Sequence, residues 1–304
     1  MKKIHFFIAF GFLVLLSCTT VKKEIRTVKS SNYELSIAPK QKAVLILFPG
    51  FPGFSADRKT LEKEATFLQN IENEGVTILF FNVKQKLWLS DVEKIKYAED
   101  LNDILDSNKI VAKNVFIGGF SSGGNIAILL SNHLLKTKNK IEPKGVFVVD
   151  SPLDIEKLYY NSKNNVTKKA HQDAYNEGLF LVDLLERELG EPSKSLENYQ
   201  KISPFTASSN TTENIDFLKN IKIRLYTEPD LEWQKINRNR TFEDLNAAIL
   251  EKMYRSFIAA GAKQTKFIQT ENKGFRADGT RHPHSWSIVD RKSLLSWIFW
   301  GINN

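Results

Sequence analysis

The chain is 304 residues long, 42% hydrophobic and 26% charged, with a formal net charge of +8 at pH 7. A chain of this length and apolar content can bury a large core, and we expect one large domain with an insertion rather than two independent domains. The basic residues are spread along the sequence and form no block interleaved with aromatic residues, which argues against a nucleic-acid partner.

The first residues carry the features of a secretory signal. Two lysines precede the apolar run 4–16, and its 13 residues fall short of the roughly 20 that a membrane-spanning helix needs. The run ends in an L-L-S-C sequence at 15–18, which resembles a bacterial lipoprotein processing site, and Cys18 is the only cysteine of the chain. The resemblance implies a signal peptide over 1–17 and a lipid on Cys18 that holds the protein in the bacterial cell envelope. Thr19 stands where an aspartate is linked to inner-membrane retention in some bacteria, which favours the outer membrane.

After Cys18 the sequence is polar and lysine-rich to about residue 32, which is typical of a tether. We expect a tether over 18–35 and a folded domain over 36–304. Six short runs rich in β-branched and aromatic residues follow, and most are almost continuously apolar, as in strands buried on both faces. The predicted strands are 43–48, 76–81, 115–118, 145–149, 221–226 and 265–269.

Helical patterns separate most of these strands, and one of them starts with a capping box, Ser90-x-x-Glu93. The alternation predicts an α/β fold with a mostly parallel central sheet and helices on both faces. The segment 151–216 has no convincing strand but contains a helical run, so we expect a helical cap insertion over the carboxyl edge of the sheet. The predicted helices are 58–73, 90–106, 125–135, 171–189, 242–260 and 287–299.

The most informative motif, Gly119-Phe120-Ser121-Ser122-Gly123, joins a predicted strand to a predicted helix. A serine hydroxyl is a weak nucleophile that must be presented on a sharp turn, and glycines on either side leave no Cβ to clash there. This is the pattern of a nucleophile elbow. With it, the chain resembles the α/β-hydrolase superfamily of serine hydrolases over about residues 40 to 300.

The resemblance implies a fixed chain order of oxyanion-hole loop, serine, acid and histidine. The loop 48–53, F-P-G-F-P-G, is similar to the family's His-Gly turn, with Pro49 in place of the common histidine. In the family such a loop supplies a backbone N–H to the oxyanion hole. The resemblance therefore implies Phe51 as one donor and Ser122, just after the nucleophile, as the other.

The acid has three candidates. The family usually shows Gly-x-x-Asp after the strand that precedes the acid, and the sequence Thr227-Glu228-Pro229-Asp230 aligns Asp230 with that position. We favour Asp230. Glu228 would take its place if the turn were shifted, and Asp150 remains open because some members carry the acid at the end of the preceding strand.

The base has two candidates, His282 and His284, in the loop between the last strand and the final helix, where the family carries its histidine. We favour His284 because it stands beyond Pro283, next to that helix. A metal-binding H-x-H is not supported, because the sequence has no H-E-x-x-H motif or cysteine cluster.

These residues predict a serine hydrolase that cleaves a carboxylic ester through Ser121, His284 and Asp230 by way of an acyl-enzyme, without a metal or other cofactor. We expect a small-molecule ester, or a lipid or sugar ester, as substrate. The same triad could cleave an amide or peptide. A catalytically silent lipoprotein of the same fold, which binds a ligand through its insertion, is the alternative from another class.

Overall fold

The computed structural model of the chain describes residues 24–50, 58–84, 86–168 and 171–302. Its centre is a sheet with eight strands in this part of the chain: β1 (Arg26–Lys29), β2 (Tyr33–Ile37), β3 (Ala43–Phe48), β4 (Val76–Phe81), β5 (Val115–Phe120), β6 (Pro143–Val149), β7 (Lys222–Thr227) and β8 (Thr265–Gln269). Their spatial order is β1-β2-β4-β3-β5-β6-β7-β8. β1 and β2 are antiparallel to their neighbours, and the other six run parallel.

The inner parallel strands are buried on both faces, as their apolar sequences predict, whereas the edge strand β8 is only partly buried. Every residue of β3 and β4 is buried. Alternate side chains of β3 enter two separate hydrophobic clusters, with Val44 and Ile46 in one and Leu45 and Leu47 in the other. A sheet with a core on each face is the arrangement that near-continuous apolar strands require.

Helices cover both faces of the sheet, and the predicted mostly parallel α/β fold is confirmed. Apolar residues of α2 (Asp91–Ser107), α3 (Ser122–Lys136) and α8 (Asn246–Ala259) belong to one cluster. Apolar residues of α1 (Arg58–Glu64) and α9 (Arg291–Phe299) belong to the other. Within the described ranges, none of the helices is long and apolar enough to cross a membrane.

The helical cap is confirmed as well. Between β6 and β7 the chain forms α4 (Ile155–Thr167), α5 (Gln172–Leu189) and α6 (Pro192–Ile202). These helices share a small apolar cluster of their own, in which the rings of Tyr159 and Tyr199 lie 6.2 Å apart. A further short helix, α7 (Leu231–Arg238), follows β7.

Two expectations are corrected. The predicted tether 18–35 includes β1 and the start of β2, which pair antiparallel at the edge of the sheet. β1 is mostly exposed and polar, so it carries little apolar pattern and depends on backbone pairing instead. The predicted helix 58–73 ends at Glu64, because Ala65 leaves the helical range with a ψ of 62°. Two 3-10 turns follow, separated by Asn70 with its left-handed φ of 54°.

Candidate active site

Ser121 lies on the sharp turn between β5 and α3. Its φ of 52° and ψ of −130° are unusual for a residue with a side chain, and such strain is concentrated at functional sites. The flanking glycines leave room for the turn. A Cβ on Gly119 would lie 2.1 Å from Gly123 O, and one on Gly123 would lie 2.2 Å from Phe48 O. The sequence thus folds here as a nucleophile elbow.

His284 and Asp150 form a hydrogen-bonded pair, with 2.6 Å between His284 Nδ1 and Asp150 Oδ2. A carboxylate only accepts, so the Nδ1 proton is donated to it and Nε2 is left as the acceptor of the neutral ring. Asp150 follows β6 directly and adopts a φ of 45°. Thr227 Oγ1 donates to Asp150 Oδ1 at 3.0 Å. The backbone N–H of Asp150 donates to Tyr226 O at 2.8 Å.

The imidazole of His284 is also held by an aromatic neighbour. Its ring centroid lies 4.5 Å from that of Phe120, with 36° between the planes, and Phe120 in turn contacts Trp286 at 5.4 Å. Phe120 is the residue immediately before Ser121. The elbow therefore contributes to the position of the histidine as well as that of the serine.

The structure does not bring Asp230 to His284, and the expected pairing of these two residues is corrected. Asp230 Oδ1 accepts from the backbone N–H of Trp233 at 3.1 Å and caps α7, while Oδ2 accepts from Arg281. The carboxylate that meets the histidine is Asp150, at the end of the neighbouring strand.

Glu228, the other alternative, does not contact the histidine either. Its carboxylate is fully buried and accepts from the backbone N–H groups of Lys273 and Gly274 and from Thr270 Oγ1. It also forms an ion pair of 2.5 Å with Arg281. Glu228 therefore fixes the loop that leads from β8 to the histidines.

His282 occupies a different environment from His284. Its Nδ1–H donates to the backbone oxygen of His284 at 3.0 Å, and Arg276 Nη2 lies 3.5 Å from its Nε2. Burial, with help from the positive charge of Arg276, lowers the pKa of His282 to about 4. This ring is therefore neutral at physiological pH, and it braces the loop of His284.

A second carboxylate, Glu64 at the end of α1, holds the other side of that loop. Glu64 Oε1 accepts from Ser285 Oγ at 3.0 Å and from the backbone N–H of Trp286 at 3.3 Å. It also pairs with Arg276 at 3.2 Å. Residues on both sides of His284 are thus anchored by buried or half-buried carboxylates.

The structure describes only one of the two residues expected to form the oxyanion hole. Phe51 and the rest of 51–57 lie outside the described residues. Ser122 is the first residue of α3, where the backbone N–H groups point out of the helix end. The described end of the loop comes close to the serine, because a Cβ on Gly50 would lie 2.9 Å from Ser121 Cβ.

Ser121, Asp150 and His284 line one cleft of about 380 Å3. Its other wall belongs to the cap, through side chains of α4 such as Asn161 and of α5 such as Glu177. Two arginines of this cleft, Arg238 and Arg240, are not among the site residues predicted from the sequence. The N-R-N-R run at 237–240, which spans the end of α7, was the available sign.

Three solved structures with a similar fold are distant from this chain in sequence. A carboxyl esterase from Tuber melanosporum has 13% identity and a TM-score of 0.54, covering 92% of this chain and 85% of its own. An esterase of the bacterial hormone-sensitive lipase family has 13% identity and a TM-score of 0.53, covering 91% and 84%. One of the Rhizomucor miehei esterases has 12% identity and a TM-score of 0.53, covering 92% and 82%.

No model of a known protein family matches the sequence, and no curated protein matches it either. At this level of identity the structural likeness concerns the fold. Together with the strand order and the elbow, it establishes that the chain has the α/β-hydrolase fold.

Proposed function

We propose that the protein is a serine hydrolase that cleaves a carboxylic ester, with Ser121 as nucleophile, His284 as base and Asp150 as acid. The observation that carries the proposal is the Asp150–His284 pair in the cleft that Ser121 lines. The three side chains that the proposed triad needs as nucleophile, base and orienting carboxylate therefore line one cleft. Asp150 takes the role first expected of Asp230.

In the proposed cycle, His284 Nε2 removes the hydroxyl proton of Ser121 while Oγ attacks the ester carbonyl. The backbone N–H groups of Phe51 and Ser122 stabilise the negative oxygen of the tetrahedral intermediate. The imidazolium returns the proton to the departing alkoxide, which leaves as an alcohol and gives an acyl-enzyme. Water then attacks with the same base, and the acid product leaves with Ser121 restored.

An ester is proposed ahead of an amide because the structurally similar proteins named above are esterases. Asp150 keeps the Nδ1 proton of His284 in place, so that Nε2 is the atom that first accepts the proton and then returns it. The cycle uses only side chains, backbone amides and water.

The test is labelling with a fluorophosphonate, which reacts with an activated serine, followed by peptide mapping. The wild-type protein should carry the adduct on Ser121, and Ser121→Ala should carry none. His284→Gln should also lose labelling, whereas His282→Gln should keep it. A folded wild-type protein that is not labelled would contradict the proposed triad.

A matched pair of substrates then separates ester from amide hydrolysis. 4-Nitrophenyl acetate and 4-nitroacetanilide share the acyl group and differ in the bond that is broken. We expect turnover of the first alone. Turnover of the anilide at a comparable kcat/KM would favour the peptidase or amidase alternative.

We also propose that Cys18 carries lipid that attaches the protein to the bacterial cell envelope, in the outer membrane. The support is the L-L-S-C sequence at 15–18 and the single cysteine; these residues lie outside the described ranges. Cells grown with an alkyne-labelled fatty acid should incorporate it into the wild-type chain and not into Cys18→Ser. Equal incorporation into both chains would contradict lipidation at this position.

A further inference from the structure

Two arginines at the end of α7 line the cleft that contains Ser121. Arg238 is the last residue of the helix, and Arg240 follows after Asn239. Asn239 has a left-handed φ of 50°, and the backbone N–H of Arg240 donates to Gln234 O at 3.3 Å. This tight C-terminal turn brings both side chains to the wall of the cleft.

Neither guanidinium is paired within the part of the chain that the structure describes. No carboxylate lies within 4.0 Å of either one, and neither donates a hydrogen bond to a described residue. Other arginines differ: Arg281 pairs with Glu228, Arg276 with Glu64 and Arg255 with Glu251. A guanidinium has five donors, and a charged group removed from water is costly unless it is paired.

Arg240 is partly buried. Burial lowers the pKa of its guanidinium, opposed by the charges of Glu177 and Asp244. The group remains charged at physiological pH, because arginine is not deprotonated in proteins. A charge that is partly desolvated and has no ion pair would be stabilised by a bound anion.

The acidic side chains of the cleft do not meet this need. Glu177 and Asp173 are exposed on α5 and form no ion pair with either arginine. Asp150, whose charge also acts on Arg240, is engaged with His284 and Thr227. Asp244 is engaged elsewhere, since its Oδ2 accepts from both the backbone N–H and the hydroxyl of Thr241.

The arginines are also close enough to the proposed triad to act on one substrate molecule. The guanidinium of Arg238 lies 6.0 Å from the centre of the Trp233 ring, which contacts the His282 ring at 5.2 Å. Arg240, Asp150 and His284 line the same cleft of about 380 Å3, a volume that suits a small ester.

We infer that Arg238 and Arg240 form a subsite for an anionic group of the substrate, so that the enzyme acts on esters that carry a carboxylate or a phosphate beside the scissile bond. The inference deepens the proposed hydrolase function and rests on it. Arginine suits both anions because its planar group can donate two parallel hydrogen bonds to either.

Binding can be measured without turnover on the full chain with Ser121→Ala. Calorimetry with benzoate, phenyl phosphate and benzamide compares two anions with a neutral analogue of similar shape. We expect one of the anions to bind at least about 10-fold more tightly than benzamide, as for a desolvated charge-assisted contact. The anion that binds more tightly identifies the group. Equal affinity for all three compounds would overturn the inference.

The contribution of Arg240 is tested by further substitutions in the Ser121→Ala protein. Arg240→Gln should lose the preference for the anion, and Arg240→Lys should keep part of it because the charge remains. Arg255→Gln is the matched control, because Arg255 is exposed on α8 and pairs with Glu251 at the surface. Unchanged anion affinity in Arg240→Gln would contradict the subsite.

Kinetics with the active protein supply a readout that a folding defect would not give. 4-Acetoxybenzoate and its methyl ester share the acetyl group and differ in charge. Arg240→Gln should raise KM for the anionic ester about 10-fold, with little change for the methyl ester. An equal loss on both would overturn the subsite while fluorophosphonate labelling still supports the triad. Anion binding through Arg240 without labelling of Ser121 would instead contradict the hydrolase.

Discussion

Two neighbouring strands, β6 and β7, each lead into a turn with an aspartate at positive φ, but the two aspartates contact different partners. Asp150, at 45°, accepts from the imidazole of His284. Asp230, at 36°, caps α7 and accepts from Arg281. Both lie at the carboxyl edge of the sheet, where ligands of open α/β sheets bind. Position at this edge is therefore insufficient to assign the acid, and the contacts of each carboxylate have to be compared.

The carboxylates that follow the two strands have different structural roles. After β6, Asp150 shares its oxygens between Thr227 and His284. After β7, both oxygens of Glu228 accept from backbone N–H groups of the loop that leads to His284, and its charge is met by Arg281. The residue after β6 contacts the imidazole of His284, and the residue after β7 holds the backbone of the loop that carries this imidazole.

The largest effect should come from Asp150→Asn. An amide in this place would not stabilise the imidazolium and can select the wrong tautomer of His284, so kcat for 4-nitrophenyl acetate should fall about 10⁴-fold. The matched change at the other strand is Asp230→Asn, which retains a capping side chain. Its kcat should stay within about fivefold of wild type.

If kcat ranked these two variants in the reverse order, the different roles given to Asp150 and Asp230 would be contradicted. If Asp230→Asn lost most activity and Asp150→Asn kept it, the first expectation from the sequence would be restored. Circular dichroism spectra of both variants should match wild type, so that the difference in kcat can be attributed to the site.

The outcome for the acid also shows what the sequence could predict. The elbow at Ser121 depends on a local pattern of glycines between a strand and a helix, and the sheet depends on apolar runs, so both were predictable. Which carboxylate contacts His284 depends on which of two adjacent strand ends its loop reaches, and that is set by tertiary contacts such as those of Glu64 and Glu228.

Other features have too little local sequence pattern to be predicted. β1 is short and mostly exposed, and its place in the sheet comes from pairing with β2. Arg238 and Arg240 are ordinary surface residues by type, and only the turn at Asn239 brings both to the cleft.

The next largest effect should be on stability, from Glu228→Gln. The side chain is 1% exposed, and the variant would leave Arg281 with a weakened partner and the two loop amides with a poorer acceptor. The free energy of unfolding should fall by about 3 kcal/mol, measured by urea denaturation. Glu251→Gln, at a surface ion pair on α8, is the control and should cost no more than about 0.5 kcal/mol. A loss for Glu228→Gln no larger than that of the control would contradict an anchoring role.

A smaller loss of stability is expected for Asp230→Ala. The variant removes the cap of α7 and places alanine at a φ that favours Asp or Asn, so the free energy of unfolding should fall by about 1 to 2 kcal/mol. Asp230→Asn should recover most of the loss in the same urea experiment. Equal loss in both variants would mean that the contact with Arg281, rather than the cap, is what Asp230 contributes.

The smallest effect concerns pH and His282, which lies next to Arg281 in the anchored loop. Burial is the main reason that its pKa falls to about 4 in the folded protein, whereas an unfolded histidine titrates near about 6.5. Between these values the unfolded chain binds more protons, so this residue's contribution to stability is full above about pH 6.5 and is lost as the pH falls towards about 4. Because the ring is partly exposed, we expect a loss of only about 1 kcal/mol.

Urea denaturation at pH 7 and pH 4.5 should show a smaller loss of stability in His282→Gln than in wild type. His171→Gln, at an exposed position before α5, is the control and should behave as wild type. An equal loss in all three proteins would mean that His282 is protonated in the folded loop, and that the anchoring of this loop by Glu228 does not exclude water from it.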